Sequence, residues 1–158
     1  MKASLRLMFA HGALILFVGM FSGIGLLISL LGGIELIPGH VTGLAIPGAP
    51  EVWGRAHAGG ILNGMLILVV ALLVTPLGFS EAKVKTLSWM LVGTGWANTV
   101  FYLAALVAPN RALTFGENRL GHANLASIIG VAPALVFAVI SLVAVGMIVR
   151  QALALPKA

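Results

Sequence analysis

The sequence contains no cysteine and no aspartate among its 158 residues. Without cysteine, the chain cannot form a disulfide, an iron–sulfur cluster, or a thiolate-ligated haem or zinc site. Without aspartate, it cannot be a hydrolase that uses an aspartate nucleophile. The only acids are four glutamates, all of which we place in predicted loops: Glu35, Glu51, Glu81 and Glu117. We therefore expect no chemistry that depends on a deeply buried carboxylate.

Charged residues of either sign are also scarce, at 8% of the chain, whereas hydrophobic residues make up 60%. A soluble domain carries about 25% charged residues, so this chain could not cover a surface that faces water. Four apolar stretches each exceed the ~20 residues that a helix needs to cross a bilayer: 8–34, 54–76, 84–108 and 123–150. The sequence therefore predicts an all-α integral membrane protein, with one four-helix bundle over residues 1–158.

The basic residues are unevenly divided between the two predicted ends of this bundle. The end that holds both termini carries six of the nine lysines and arginines: Lys2, Arg6, Lys83, Lys85, Arg150 and Lys157. The other end carries the remaining three: Arg55, Arg111 and Arg119. Because basic residues accumulate on the cytoplasmic side of membrane proteins, we expect both termini to be cytoplasmic. The connections 35–53 and 109–122 then lie outside, and the turn 77–83 lies inside.

Histidines and amides inside the predicted spans are candidate functional groups, because polar side chains are costly in lipid. His57 lies about one turn into the second helix among small residues. It is either a ligand for a flat, bulky group or a histidine hydrogen-bonded across a helix interface. Asn63 lies ~9 Å further along the helix, where interhelical hydrogen bonding is the usual role. His11 is expected to face the headgroups, and His40 and His122 to lie on solvated loops.

The third helix carries a polar stripe. Thr94, Asn98 and Tyr102 follow one another at four-residue intervals, so they share one helix face. We expect this face to contact protein or a cavity, with Tyr102 at a depth similar to that of His57. An interfacial aromatic belt explains Trp53, but it does not explain the whole stripe.

Glycine pairs at four-residue spacing occur in the first two helices: Gly19 with Gly23, and Gly60 with Gly64. Such pairs permit close packing of helix backbones in a membrane. We take them only as permissive for tight packing or oligomers, because glycine-rich apolar segments produce them by chance.

His57 has no predicted carboxylate or thiolate beside it, which makes it a poor zinc site. It is an adequate proximal ligand for haem, whose porphyrin supplies four nitrogens. Two alternatives remain open at this point: a non-catalytic membrane haem protein, such as an electron carrier or sensor, and a small-molecule permease with a structural His57. An electron carrier usually has two axial ligands, and no second histidine is predicted at a suitable depth. A permease predicts no cofactor.

Several segments together resemble the styrene oxide isomerase family, which consists of small bacterial membrane enzymes. The matching segments are His11-Gly12, Ile37-Pro38-Gly39, Pro47-Gly48-Ala49-Pro50-Glu51, Trp53 through Gly64, Gly95-Trp96-Ala97-Asn98, Phe101-Tyr102-Leu103, and Pro109-Asn110-Arg111-Ala112-Leu113-Thr114-Phe115-Gly116. The last run and the spacing of His57, Asn63 and Tyr102 are specific, because generic hydrophobicity would not produce them.

The resemblance implies a homotrimer of four-helix protomers in the bacterial inner membrane, with ferric haem b at the subunit interfaces. It implies that His57 is the axial ligand, that the iron acts as a Lewis acid on an epoxide oxygen, and that Tyr102 and Asn63 hold that oxygen. The implied reaction of styrene degradation converts an aryl epoxide (styrene oxide) into an aldehyde (phenylacetaldehyde) by a 1,2-hydride shift. A styrene monooxygenase is the implied partner that delivers the epoxide.

Two further expectations concern residues around this site. Arg55, Arg111 and Arg119 lie on the same side of the membrane as His57, and each pairs either with a haem propionate or with lipid headgroups. Thr94 departs from the family pattern, which has an aspartate before the Gly-Trp pair. Threonine keeps a hydrogen-bonding oxygen but loses the charge, so the natural substrate stays open and we assign Thr94 no catalytic role.

Overall fold

The computed structural model describes residues 2–155 and contains four long helices, as predicted. They are α1 (Ala3–Leu31), α2 (Pro50–Leu73), α3 (Glu81–Ala105) and α4 (Leu125–Leu153). Compared with the predicted stretches, the first three helices begin and end a few residues earlier, and α4 begins and ends slightly later. Lys157, which we counted in the charge asymmetry, lies outside the described residues.

Helices α1, α2 and α4 are long and apolar enough to cross a membrane, so the chain has the helices of a membrane protein. Helix α3 is 25 residues long, yet it does not reach the same apolarity. Its length corresponds to ~37 Å, so it is not too short to span a bilayer. Its polar residues lower its hydropathy, and several of them face neighbouring helices. The prediction of four spans is therefore confirmed for three of them.

The starts of α2 and α3 explain why our boundaries were late. Helix α2 begins at Pro50, because proline has no N–H to leave unpaired and its fixed φ suits the first helical position. Glu51 and Glu81 lie in the first turns of α2 and α3, where a carboxylate interacts favourably with the helix dipole. The expectation that all four glutamates lie in loops is therefore wrong for these two, and it is also wrong for Glu35, which lies in a β-strand.

The 35–53 connection contains a short antiparallel hairpin that the all-α prediction missed. Strands β1 (Gly33–Ile37) and β2 (His40–Gly43) pair around a turn at Gly39, whose φ of +79° favours glycine. The Gly39 N–H donates to the Glu35 carboxylate at 2.6 Å. These strands of five and four residues are mostly exposed, so they show no alternation of apolar residues that would predict them. His40 is exposed, as expected.

Helices α1 and α2 pack with their backbones in close contact, as the glycine pairs allow. A Cβ on Gly19 would lie 2.5 Å from the Ile61 nitrogen, and a Cβ on Gly64 would lie 2.6 Å from the Leu16 nitrogen. Glycine is therefore required at both positions for this helix spacing. The interface fixes the rotation of α2 against α1, and hence the direction of the side chains that α2 carries.

The two ends of the bundle differ in their contacts. At the end that holds both termini (the terminal end), Lys2 pairs with Glu81 at 3.3 Å, and Gln151 donates to the Leu77 carbonyl at 3.0 Å. At the other end (the hairpin end), a small buried cluster joins α2, α3 and the 106–124 connection: Val52, Ala105, Ala108 and Ala112. The larger apolar core lies between these ends and towards the terminal end.

Candidate active site

His57 lies seven residues into α2, two turns from its start rather than one, because the helix begins at Pro50. Its Nδ1 is 2.9 Å from the carbonyl oxygen of Gly19 on α1. A carbonyl can only accept a hydrogen bond, so Nδ1 carries the ring proton. The lone pair of this neutral ring therefore lies on Nε2.

The ring has space against α1 only because of a second glycine. A Cβ on Gly23 would lie 2.8 Å from His57 Nδ1. No residue in the described range bonds to Nε2, and this nitrogen is not fully enclosed by the protomer. Of the two roles considered for His57, the hydrogen bond across a helix interface is therefore present, and Nε2 has no partner within the described residues. Metal-bound histidines are commonly held in this way.

Asn63 is hydrogen-bonded across the α2–α3 interface. Its carbonyl oxygen accepts from Asn98 Nδ2 at 2.9 Å, and its own Nδ2 donates to the Gly59 carbonyl at 2.7 Å. An amide nitrogen has two protons, so Asn63 retains one N–H for a further acceptor. The interhelical role predicted for Asn63 is confirmed, and Asn98 is the residue that fixes its orientation.

Tyr102 and Asn63 both contact Gly59 of α2. The tyrosine ring covers this glycine so closely that a Cβ there would lie 2.6 Å from Tyr102 Oη. Within the described residues, the hydroxyl has no hydrogen-bond partner and is not enclosed. Two hydrogen-bond donors, the phenol of Tyr102 and the remaining N–H of Asn63, therefore lie around one point on α2. The predicted similar depth of Tyr102 and His57 follows as well, because Gly59 is two residues from His57, or ~3 Å along the axis.

One protomer does not bring His57 and these two donors around a common cavity. Six residues of helix separate His57 from Asn63, which turns their side chains about 120° apart. His57 faces α1, whereas Asn63 faces α3, from which Tyr102 packs against α2 at Gly59. The crevice beside Tyr102, Gly19 and Gly60 has a volume of ≈ 10 Å³, far too small for an aryl epoxide.

Thr94 does not share the contacts of Asn98 and Tyr102. Its hydroxyl is buried and donates to the Met90 carbonyl at 2.7 Å, and it also lies 3.4 Å from the Phe137 carbonyl on α4. The expectation that the polar stripe contacts protein is confirmed for Thr94, but its contact is with α4, whereas Asn98 and Tyr102 contact α2. Four-residue steps advance 40° around the helix, and this drift carries Thr94 towards α4.

Trp53 is not simply a belt residue. Its ring packs against Gly25 of α1, and its indole N–H donates to the Pro47 carbonyl at 2.9 Å. The tryptophan therefore fastens the start of α2 to α1 and to the preceding loop. This contact lies one turn from His57 on the same helix.

Arg111 lies in a strained turn at the hairpin end. Arg111 and Ala112 have φ values of +57° and +53°, in the left-handed region that residues with a Cβ rarely adopt. The fully buried Asn110 holds this turn, because its Nδ2 donates to the Thr114 carbonyl at 2.9 Å and its Oδ1 accepts from Ser127 at 2.6 Å. Asn110 belongs to the run 109–116 that resembles the family, but no pattern in the sequence indicates its buried role in this turn.

The guanidinium of Arg111 lies 3.7 Å from the Glu51 carboxylate, so its nearest charged partner is within the protein. Arg55 is half-buried one helical turn after Glu51. Arg119 and His122 are exposed on the same connection, as expected for His122. Two arginines and one glutamate therefore stand at the hairpin end of α2, with a net positive charge.

His11 differs from expectation. It lies two turns into α1, and its Nδ1 accepts the indole N–H of Trp96 at 3.1 Å. An indole nitrogen can only donate, so the ring proton of neutral His11 lies on Nε2. The two rings meet edge to face, with centroids 6.2 Å apart. The expectation that His11 faces the headgroups is wrong, because an indole from α3 binds it.

Comparison with known proteins gives two matches. A family model described as styrene oxide isomerase matches residues 4–153. A curated styrene-oxide isomerase from Pseudomonas fluorescens is 42% identical over 148 residues, which covers 94% of this chain and 88% of that protein. The matched region contains all the site residues described above.

Proposed function

This chain belongs to the styrene oxide isomerase family, and we propose that it is a membrane enzyme that converts an aryl epoxide, styrene oxide, into phenylacetaldehyde. One epoxide C–O bond breaks, and a hydrogen moves with its electron pair to the carbon left positive. A carbonyl forms on the neighbouring carbon. The reaction needs no oxidant, reductant or water. A similarity that covers almost the whole chain supports this function over an electron carrier, a haem sensor or a permease.

The observation that carries a haem proposal is the orientation of His57. The ring presents an open Nε2 while Nδ1–H is held by the Gly19 carbonyl. Within residues 2–155, no three histidines or acids cluster as ligands for a bare metal ion. A haem needs only one protein ligand, so these residues fit it better. Ferric haem b bound at His57 would supply a Lewis acid for the epoxide oxygen.

Tyr102 and Asn63 are the groups that we propose to hold that oxygen. Negative charge develops on it as the C–O bond breaks, and donors already aimed at this position stabilise the charge. The Asn98 bond at 2.9 Å keeps the Asn63 amide from rotating, so its remaining N–H has a fixed direction. The positive charge at the benzylic carbon needs no protein counter-ion, because the aryl ring delocalises it.

The 120° separation of His57 from these donors supports a composite site. We propose a homotrimer in which His57 of one protomer and Tyr102 and Asn63 of its neighbour line the same cleft. Apolar walls at such an interface exclude water, which would otherwise trap the cation as a diol. Arg55 and Arg111, at the same end of α2, are the proposed partners of the haem propionates. A propionate would replace Glu51 as the partner of Arg111.

The same proposal places the protein in the bacterial inner membrane with both termini cytoplasmic. An apolar epoxide partitions into the bilayer, so it can reach a cleft between subunits without crossing water. A styrene monooxygenase is the proposed supplier of that epoxide. Thr94 is buried between α3 and α4 rather than beside Tyr102, so we propose no contact between Thr94 and the substrate.

The test is an incubation of purified protein with styrene oxide, without a reductant. We expect phenylacetaldehyde as the product and a Soret band in the absorption spectrum, from five-coordinate haem that responds to an added amine. Formation of styrene glycol alone, or of no product by protein that retains haem, would contradict the function. A six-coordinate spectrum that neither epoxide nor amine changes would instead identify an electron carrier.

A further inference from the structure

A groove separate from the His57 site runs between α1 and α3 near the terminal end. Its volume is ≈ 470 Å³, within the range of about 300–1,000 Å³ that is typical of small-molecule sites. Most of the surface that lines it is apolar, and the lining residues are Ala3, Ser4, Leu7, His11, Lys85, Ser88, Trp89, Val92 and Gly93. Gly19, which holds His57, lies eight residues beyond His11 along α1, or ~12 Å away.

Of the groups that line the groove and can donate a hydrogen bond, His11 is the one whose proton a neighbouring side chain fixes; Ser4, Lys85 and the indole of Trp89 are the others that the groove offers. Trp96 fixes the proton of neutral His11 on Nε2, as described above. Among residues 2–155, no acceptor bonds to this N–H, and Nε2 is not enclosed. Because His11 lines the groove, we take the N–H to be accessible from it. This donor belongs to no step of the proposed reaction.

We propose that this groove binds a molecule with an apolar body and one hydrogen-bond-accepting oxygen, and that His11 Nε2–H donates to that oxygen. An apolar body matches Leu7, Trp89 and Val92. A purely hydrocarbon segment would fill the same space but would leave the N–H of His11 without an acceptor, which is unfavourable away from water. Ser88 does not compete for the ligand, because its hydroxyl lies 3.4 Å from the Ser4 carbonyl and donates to it.

Epoxides and aldehydes with an aryl group belong to this ligand class. Naming them as ligands rests on the proposed function, because the groove would then be a second binding site for the substrate and the product in the membrane. The ligand class itself rests only on the groove and on the tautomer of His11. An aryl ketone that the enzyme cannot isomerise therefore tests the site independently of catalysis.

The experiment uses the full chain with its bound cofactor in lipid nanodiscs and acetophenone carrying a ring diazirine as a photoprobe. We expect labelling of peptides that contain Leu7 or Trp89. Unlabelled acetophenone should compete at about fivefold lower bilayer concentration than ethylbenzene, which has a similar shape but no oxygen. Equal competition by the two compounds would show that water or lipid satisfies the groove and would overturn the proposal, as would the absence of labelling.

Three variants locate the effect. His11→Phe should abolish the preference for acetophenone, whereas His11→Gln should restore it, because an amide can accept from Trp96 and still donate. His57→Ala should keep the preference, since it alters only the other site. A preference that persists in His11→Phe would overturn the assignment of the donor. If wild-type protein shows no isomerase activity but still prefers acetophenone to ethylbenzene, the proposed function is contradicted and the proposed binding site in the groove is not.

Discussion

His57 and His11 are the same residue type at opposite ends of one bundle, and they present the same ring nitrogen, Nε2, in opposite tautomers. The Gly19 carbonyl holds the proton of His57 on Nδ1, so Nε2 has a free lone pair. The indole of Trp96 occupies Nδ1 of His11, so its Nε2 carries the proton. The first ring can bind a metal through Nε2, whereas the second can only donate from that position. The neighbouring group, and not the histidine itself, decides which chemistry is available.

The two histidine rings also differ in what surrounds them. His57 lies against glycines on α1 at the hairpin end, and its Nε2 is not fully enclosed. His11 lies beside a groove at the terminal end, with Trp89 and Lys85 along its walls. Only His57 has a ring nitrogen whose lone pair is left without a partner among the described residues, so substitutions at the two histidines should have different consequences.

The largest expected effect is loss of the cofactor in His57→Gly. Removing the proposed iron ligand should weaken haem binding by at least about 100-fold, so the purified variant should lack a Soret band. His11→Gly is the matched control and should retain normal haem content. The measurement is the ratio of haem to protein by absorption. Equal loss of haem from both variants would contradict the assignment of His57 as the haem ligand.

Tyr102→Phe should reduce kcat for epoxide isomerisation by about 10²–10³-fold, the usual effect of removing an oxyanion donor. Haem content should not change, because the hydroxyl is not a proposed ligand. Thr86→Val is the control on the same helix, since it also removes a hydroxyl, but one that is exposed and bonded to its own helix. An unchanged rate in Tyr102→Phe would remove Tyr102 from the site.

Gly23→Ala should weaken haem binding by about tenfold, an effect typical of altered support for a metal ligand. The new Cβ would lie 2.8 Å from His57 Nδ1 and would force the ring off the Gly19 carbonyl. Gly146→Ala on α4 is the control, because a Cβ there meets nothing within 4 Å. Haem titration compares the two variants, and identical affinities would show that the Gly19 bond does not support the ligand.

The smallest effect is expected for Trp96→Phe, which removes the donor that fixes His11. Loss of one hydrogen bond should lower the free energy of unfolding by about 1 kcal/mol. Haem content should stay normal, in contrast to Gly23→Ala. The measurement is denaturant unfolding together with the absorption spectrum. Loss of haem in this variant would show that the two ends of the bundle are not independent.

Much of the fold was predictable, because long apolar stretches mark the helices directly. Helix α3 shows the limit of that signal: its polar residues face other helices, so its average hydropathy understates how it packs. The hairpin at 33–43 was missed for a related reason. Its strands are short and mostly exposed, so no periodic burial marks them in the sequence.

For the site, sequence reasoning identified His57, Asn63 and Tyr102, because each is polar in an apolar helix. It did not predict which way they face. The 120° between His57 and Asn63 follows from helix geometry, but the partners Gly19 and Asn98 depend on how the helices are rotated. The bond from Trp96 to His11 joins residues 85 positions apart, and no local pattern reveals it.

The most direct test of the account is chemical rescue of His57→Gly by imidazole. We expect the variant to form no phenylacetaldehyde from styrene oxide, and added imidazole to restore both the Soret band and aldehyde formation, because free imidazole can occupy the vacated position beside Gly19 and Gly23 and offer a ring nitrogen to the iron. His11→Gly should be active without imidazole. Full activity of His57→Gly in the absence of imidazole would contradict the assignment of His57 as the ligand on which the chemistry depends.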